Sequence, residues 1–122
     1  DGRSSGQGRR LFARSDDGGA TWAANGSAGS DLPDPYCEAS LLSAPASSEL
    51  LLFGNPSSAR HRANFSVHAS RDGGLSWPES VVVYPGGAAY SDMSFTSSGD
   101  LVVLFENDKY NTIAFGTLRV PW

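Results

Sequence analysis

Two carboxylates recur at a fixed spacing and are the first candidates for chemistry. Ser15-Asp16-Asp17-Gly18-Gly19-Ala20-Thr21-Trp22 returns 55 residues later as Ser70-Arg71-Asp72-Gly73-Gly74-Leu75-Ser76-Trp77. A pair of Asp residues invites an acid/base reading, but the residues around them specify a turn. An Asp side chain accepts backbone N–H groups across a turn. Glycine supplies the positive φ of a tight hairpin. The hydroxyl residue and Trp then open the next strand, where the indole can pack. Asp17 and Asp72 are therefore read as structural. His61 and His68 do not form a metal pair; His68 alternates with Val67 on a strand and is expected to be exposed. Cys37 is the only cysteine. That excludes an internal disulfide framework and a Cys-rich zinc site, and the thiol is expected to pack as a small apolar group. Asn25-Gly26-Ser27 and Asn64-Phe65-Ser66 are glycosylation sequons. Taken singly, Tyr90 reads as a strand aromatic, Arg62 and Arg60 as solvated arginines, and Glu106 as the polar end of an apolar strand.

The elements that must position these groups are strands. No window of helical length carries apolar residues at 3.6 spacing. Short apolar or alternating segments bounded by Gly, Pro, Asp and Ser recur along the chain. They predict strands over 9–14, 38–43, 50–53, 64–70, 80–84, 90–96, 101–106 and 112–120. A repeat of this length, holding about four short strands, fits one blade of a β-propeller.

Composition narrows the function classes. The chain has 122 residues, 9 Lys plus Arg against 13 Asp plus Glu, and a net charge of −4. The basic residues sit among acids and form no run, which argues against a nucleic-acid binder. No apolar stretch approaches the roughly 20 residues of a helical membrane span. The 14 glycines and 7 prolines suggest many turns, while the aromatics and β-branched runs keep the chain out of the disordered class.

The repeated unit resembles the Asp-box of sialidases (neuraminidases) and related propellers, Ser-x-Asp-x-Gly-x-Thr/Ser-Trp. Four further segments resemble sialidases in the family's order. These are Leu32-Pro33-Asp34-Pro35-Tyr36-Cys37-Glu38-Ala39-Ser40-Leu41, Leu51-Leu52-Phe53-Gly54-Asn55-Pro56, and Arg62-Ala63-Asn64-Phe65-Ser66-Val67 running into the second box. The last is Pro85-Gly86-Gly87-Ala88-Ala89-Tyr90-Ser91-Asp92-Met93 ahead of Leu101-Val102-Val103-Leu104-Phe105-Glu106. The resemblance implies an all-β fold, a partial six-bladed β-propeller of two to three four-stranded blades. Residues 1–122 would be the C-terminal part of a sialidase catalytic propeller, with Asp-boxes at 15–22 and 70–77 and the N-terminal blades absent.

The same resemblance implies a site. Sialic acid carries a carboxylate on its anomeric carbon, and a guanidinium fork is the best partner for it. Of the family's three arginines, the third maps to Arg62 and the second to Arg3; nothing here matches the first. An Asp or Glu nucleophile would meet like-charge repulsion at that carbon, and sialidases use a tyrosine instead. Tyr90 maps to it. A phenol has a pKa of about 10, so it needs a base within hydrogen-bond reach; the family's Glu for that task lies upstream, as does the acid/base Asp. Glu106 maps to the glutamate that orients the first arginine. Glu38 stands where relatives often carry Gln or Asn, a possible cleft contact.

These residues imply retaining exo-α-sialidase activity on sialylated glycoprotein, glycolipid or oligosaccharide substrates, with no metal or cofactor. The resemblance places such proteins outside the cell or in lysosomes. Isolated, the chain is expected to be inactive. Two alternatives are a non-catalytic Asp-box propeller that binds glycans or proteins, in which Tyr90 and the arginines would not converge, and a trans-sialidase.

Overall fold

The computed structural model describes residues 8–23, 28–45 and 47–119. The chain is all-β. Strands β1 (Arg9–Leu11) and β2 (Ala28–Pro33) form an antiparallel pair. Six more strands follow: β3 (Ser40–Ala44), β4 (Ser47–Pro56), β5 (Ala63–Ser70), β6 (Glu79–Phe95), β7 (Leu101–Asn107) and β8 (Thr112–Leu118). They lie side by side in chain order, every neighbour antiparallel. The only helical piece among the described residues is a 3₁₀ turn, Asp108–Tyr110.

Strand β6 belongs to two sheets. From Glu79 to Gly87 it pairs with β5, and from Ala88 to Phe95 with β7. The register slips at the changeover, between Ala63 and Ser66 on one side and Ala88 and Ser91 on the other. So β3, β4, β5 and the first half of β6 form one four-stranded blade. The second half of β6 opens the next blade with β7 and β8. The predicted strands 80–84 and 90–96 are thus one continuous strand. Pro85-Gly86-Gly87 bends the extended chain and does not turn it back, because both halves find a partner strand. A Cβ at Gly86 would fall 2.6 Å from the Tyr84 ring, so the bend needs glycine there. Strand β2 was not predicted. Its Ala-Gly-Ser-Asp-Leu-Pro sequence has little intrinsic β-propensity, and pairing with β1 supplies the order.

The core fills the angle between the blades. Leu50, Leu52, Phe65, Val67, Ala69, Ala88, Met93, Leu101, Val103 and Phe105 are buried together, and the Phe65 and Phe105 rings stack at 4.7 Å. A second cluster of Leu32, Phe53 and Trp77 takes in Phe12. Leu52 and Phe53 are adjacent in β4 yet serve different clusters, so this blade is covered on both faces. That corrects one expectation: His68 is buried, at 7% exposure. β5 lies between β4 and β6 and is buried at every residue from Phe65 to Ser70. Phe65, Val67 and Ala69 face the first cluster, and His68 faces the Phe53 ring at 6.4 Å on the other. Cys37 is buried, as expected, and burial raises its pKa. Trp77 is buried, whereas its counterpart Trp22 is 61% exposed. Asn64 lies in β5, with φ of 64°; Asn25 lies outside the described residues.

The two Asp-boxes form matching turns. In the second, Asp72 accepts the Ser76 N–H at 2.9 Å and the Ser76 hydroxyl at 2.6 Å. The Ser70 hydroxyl donates to Asp72 at 2.8 Å and accepts the Gly74 N–H at 2.8 Å. In the first, Asp17, Thr21, Ser15 and Gly19 repeat the pattern. Gly18, Gly19, Gly73 and Gly74 all have positive φ. The donated bonds, from Ser76 and Thr21 first, bring both Asp carboxyls down to about 2. Both carboxylates are taken up by their own turns.

Candidate active site

The second Asp-box follows β5, while Arg62 immediately precedes it. At a rise of roughly 3.3 Å per residue, eight strand residues separate the two by about 26 Å. The chemistry therefore gathers at the opposite ends of the strands from the boxes. A hollow of about 530 Å³ does lie between the two box turns. Its lining of Phe12, Trp22, Leu75 and Trp77 with a single guanidinium, Arg14, supplies no acid–base pair.

Arg62 reaches the site because the β4–β5 connection ends against the bend in β6. Its carbonyl accepts the Ala88 N–H at 2.9 Å. Two residues on, Tyr90 stands on β6, half exposed. The Arg62 guanidinium carbon lies 5.4 Å from the Tyr90 ring centroid, a cation–π distance. The Tyr110 ring lies 5.9 Å from it, and Arg62 Nη1 donates to the Tyr110 hydroxyl at 3.2 Å. That bond is the main reason the Arg62 pKa is raised, so Arg62 is a fixed cation between two phenols.

Glu106 enters from β7, the strand next to β6. Its Oε2 accepts the Tyr90 N–H at 3.2 Å. Glu38, on the loop before β3, reaches across to accept the Ser91 N–H at 2.9 Å. That loop is held by Asp34, which is buried at 3% exposure. Asp34 pairs with Arg10 at 2.5 Å, accepts the N–H groups of Tyr36 and Cys37, and accepts Asn55 Nδ2 at 3.1 Å. Next to it, the Ser40 hydroxyl donates to Asp92 at 3.3 Å.

Two hollows meet at Glu106. One, of about 100 Å³, is lined by Arg62, the 87–89 bend, Glu106, Asn107, Lys109 and Tyr110. The other, about 380 Å³, is bounded by Glu38, Tyr90, Ser91, Asp92 and Glu106. The first carries the Arg62 and Lys109 cations and the Glu106 carboxylate in its wall; the second is also lined by Leu104, Phe105 and Ile113. No three His, Cys, Asp or Glu side chains among the described residues converge as a metal ion requires.

Three of the four site residues named from the sequence, Arg62, Tyr90 and Glu106, thus come together. The fourth, Arg3, lies outside the described residues. Sequence reasoning passed over Tyr110 and Lys109. They follow Glu106 in a polar Asn-Asp-Lys-Tyr-Asn stretch that reads only as a turn between strands. Arg10 was also missed, because its partner Asp34 is 24 residues away and the buried pair leaves no local pattern.

The family model for a BNR repeat-like domain matches residues 2–103. A sialidase of Bacteroides fragilis is 33% identical over 108 residues, covering 82% of this chain and 20% of that protein. A sialidase of Micromonospora viridifaciens is 36% identical over 122 residues, covering 94% and 18%. The chain spans about a fifth of the length of these curated relatives. Among solved structures, the Hadza microbial sialidase Hz136 superposes with a TM-score of 0.79 at 30% identity, over 93% of this chain and 23% of that one. The blades of this chain are part of a propeller, and the chain belongs to the sialidase family of BNR-repeat proteins.

Proposed function

We propose that the chain is the C-terminal part of a sialidase catalytic propeller, and that it serves retaining hydrolysis of terminal α-linked sialic acid. The observation that carries this is the placement of Arg62 against Tyr90, with Glu106 bonded to the Tyr90 backbone. Arg62 would take the substrate carboxylate, together with Arg3 and an arginine from outside this sequence. The Tyr90 phenol, relieved of its proton by a base also supplied from outside, would attack the anomeric carbon as the glycosidic C–O bond breaks. The leaving oxygen would take a proton from an external acid. Water would then displace Tyr90 at the same carbon, regenerating the phenol and giving net retention. Glu106 would fix the backbone at Tyr90 and compensate arginine charge. The natural substrates would be sialylated glycoproteins, glycolipids or oligosaccharides met outside the cell or in lysosomes.

A non-catalytic propeller has no need of an arginine against this tyrosine, so the pair favours the enzyme. The deciding experiment puts this segment in its complete propeller and measures release of sialic acid from an α-sialoside. Loss of turnover in Tyr90→Phe with sialoside binding kept is the expected result; full activity in that variant would defeat the assignment. Sialic acid moved to an added galactoside in preference to water would make it a transferase.

A further inference from the structure

We propose that Tyr110 is a positioning residue that holds the Arg62 guanidinium ready for a carboxylate; its use in binding rests on the sialidase reading above. The two side chains come from different blades. Arg62 closes the β4–β5 connection. Tyr110 sits in the loop of the β7–β8 hairpin, whose last strand pair is Asn107 with Thr112.

The hairpin loop adopts a costly backbone to put Tyr110 there. Lys109 has φ 58° and ψ 42°, and Tyr110 has φ 70°. Two successive bulky residues in the left-handed region are rare, and such strain persists only where its surroundings hold it. Here the phenol is held by the Arg62 Nη1 bond at 3.2 Å and by its ring beside the guanidinium.

The chemical result follows from the donor count. A guanidinium has five N–H donors in one plane. Tyr110 takes a donor at Nη1, and its ring and that of Tyr90 flank the cation. The remaining N–H groups keep their fork geometry for a two-oxygen acceptor. A long, half-buried arginine side chain would otherwise have to be ordered as the ligand binds.

The test uses this segment within its complete propeller, with ¹⁵N-labelled arginine. In the wild type the Arg62 Hη signals should be resolved, and identified by their loss in Arg62→Lys. In Tyr110→Phe they should collapse to the averaged signal of a freely rotating guanidinium, with amide signals outside the hairpin unchanged. A second reading does not depend on that variant: Arg62→Lys should shift the Tyr110 ring-carbon signals. Affinity for the methyl α-glycoside of N-acetylneuraminic acid should fall about ten-fold in Tyr110→Phe, the effect of one charge-assisted hydrogen bond. Unchanged Arg62 signals, or equal affinity with and without the hydroxyl, would overturn the positioning role and leave the sialidase reading intact. Arg62 signals that collapse in the variant but ignore the sialoside in the wild type would uphold the contact and defeat the sialidase reading.

Discussion

The carbonyl of Arg62 accepts the N–H of Ala88 at 2.9 Å, so the arginine is anchored by its backbone two residues from Tyr90. A side chain tethered this way needs only its own torsions set, and Tyr110 sets them at the far end. Substitution of Arg62 by Lys keeps the backbone bond and the charge but loses the fork. Sialoside affinity should fall about ten-fold or more, read by titration, because an ammonium cannot bind a carboxylate through two parallel N–H groups.

The isolated chain should not hydrolyse a fluorogenic α-sialoside, since in the proposed mechanism the base, the acid and the first arginine would all come from outside this sequence. Within the complete propeller, Tyr90→Phe should lower kcat by about 10³-fold or more while leaving binding in place. Turnover by these 122 residues alone would contradict the division of labour drawn here.

His68 should make the fold sensitive to mild acid. Burial depresses its pKa from 6.5 to about 4. The unfolded chain takes up a proton below 6.5, whereas the folded chain does so only near 4. Stability is therefore complete above pH 6.5 and falls as pH drops from 6.5 to 4, by about 3 kcal/mol for such a difference. Urea unfolding across that range should show the slope, and His68→Phe should flatten it.

The Asp-boxes act lower on the pH scale. Hydrogen bonds within each turn hold both Asp carboxyls near 2, against an ordinary value of 3.8. Their contribution is present above pH 4 and fades as pH falls from about 4 to 2. Asp72→Ala should lower the melting temperature at pH 7 and have little effect at pH 2, measured by circular dichroism.

Arg10 and Asp34 form the most buried ion pair among the described residues, with side-chain exposures of 21% and 4%. Arg10→Ala would strand the Asp34 carboxylate and should cost about 3 kcal/mol or more. Arg10→Ala with Asp34→Asn should cost less than the sum of the single changes, as a denaturation cycle would show. The same change should loosen the loop that brings Glu38 to Ser91.

The legible parts of this chain were those with local causes. The Asp-box turns are built from residues four apart, and their side chains specify the bonds that the structure contains. The strands were legible wherever apolar runs met turn residues. Two features escaped for opposite reasons. His68 was misjudged because alternation signals burial only when one sheet face meets water, and this blade is covered on both. β6 was split because Pro85-Gly86-Gly87 has the composition of a turn, and only the partner strands decide between a turn and a bend. Within the site, Tyr90, Arg62 and Glu106 were named through family order, whereas Tyr110 depends on two unusual backbone angles that composition does not announce.

The shared strand has a consequence for how this sequence can vary. β6 is continuous from Glu79 to Phe95, yet its alternation is reset at the changeover, where the adjacent Ala88 and Ala89 are both buried and the register slips against each partner strand. The number of residues in the bend therefore sets which side chains of the next blade point inward. A single-residue insertion or deletion within 85–89 would invert the faces of everything from Tyr90 onward. Met93 would turn away from the core and Tyr90 away from Arg62. The segment should therefore refuse changes of length, and drift in length among its descendants should be confined to the hairpin loops.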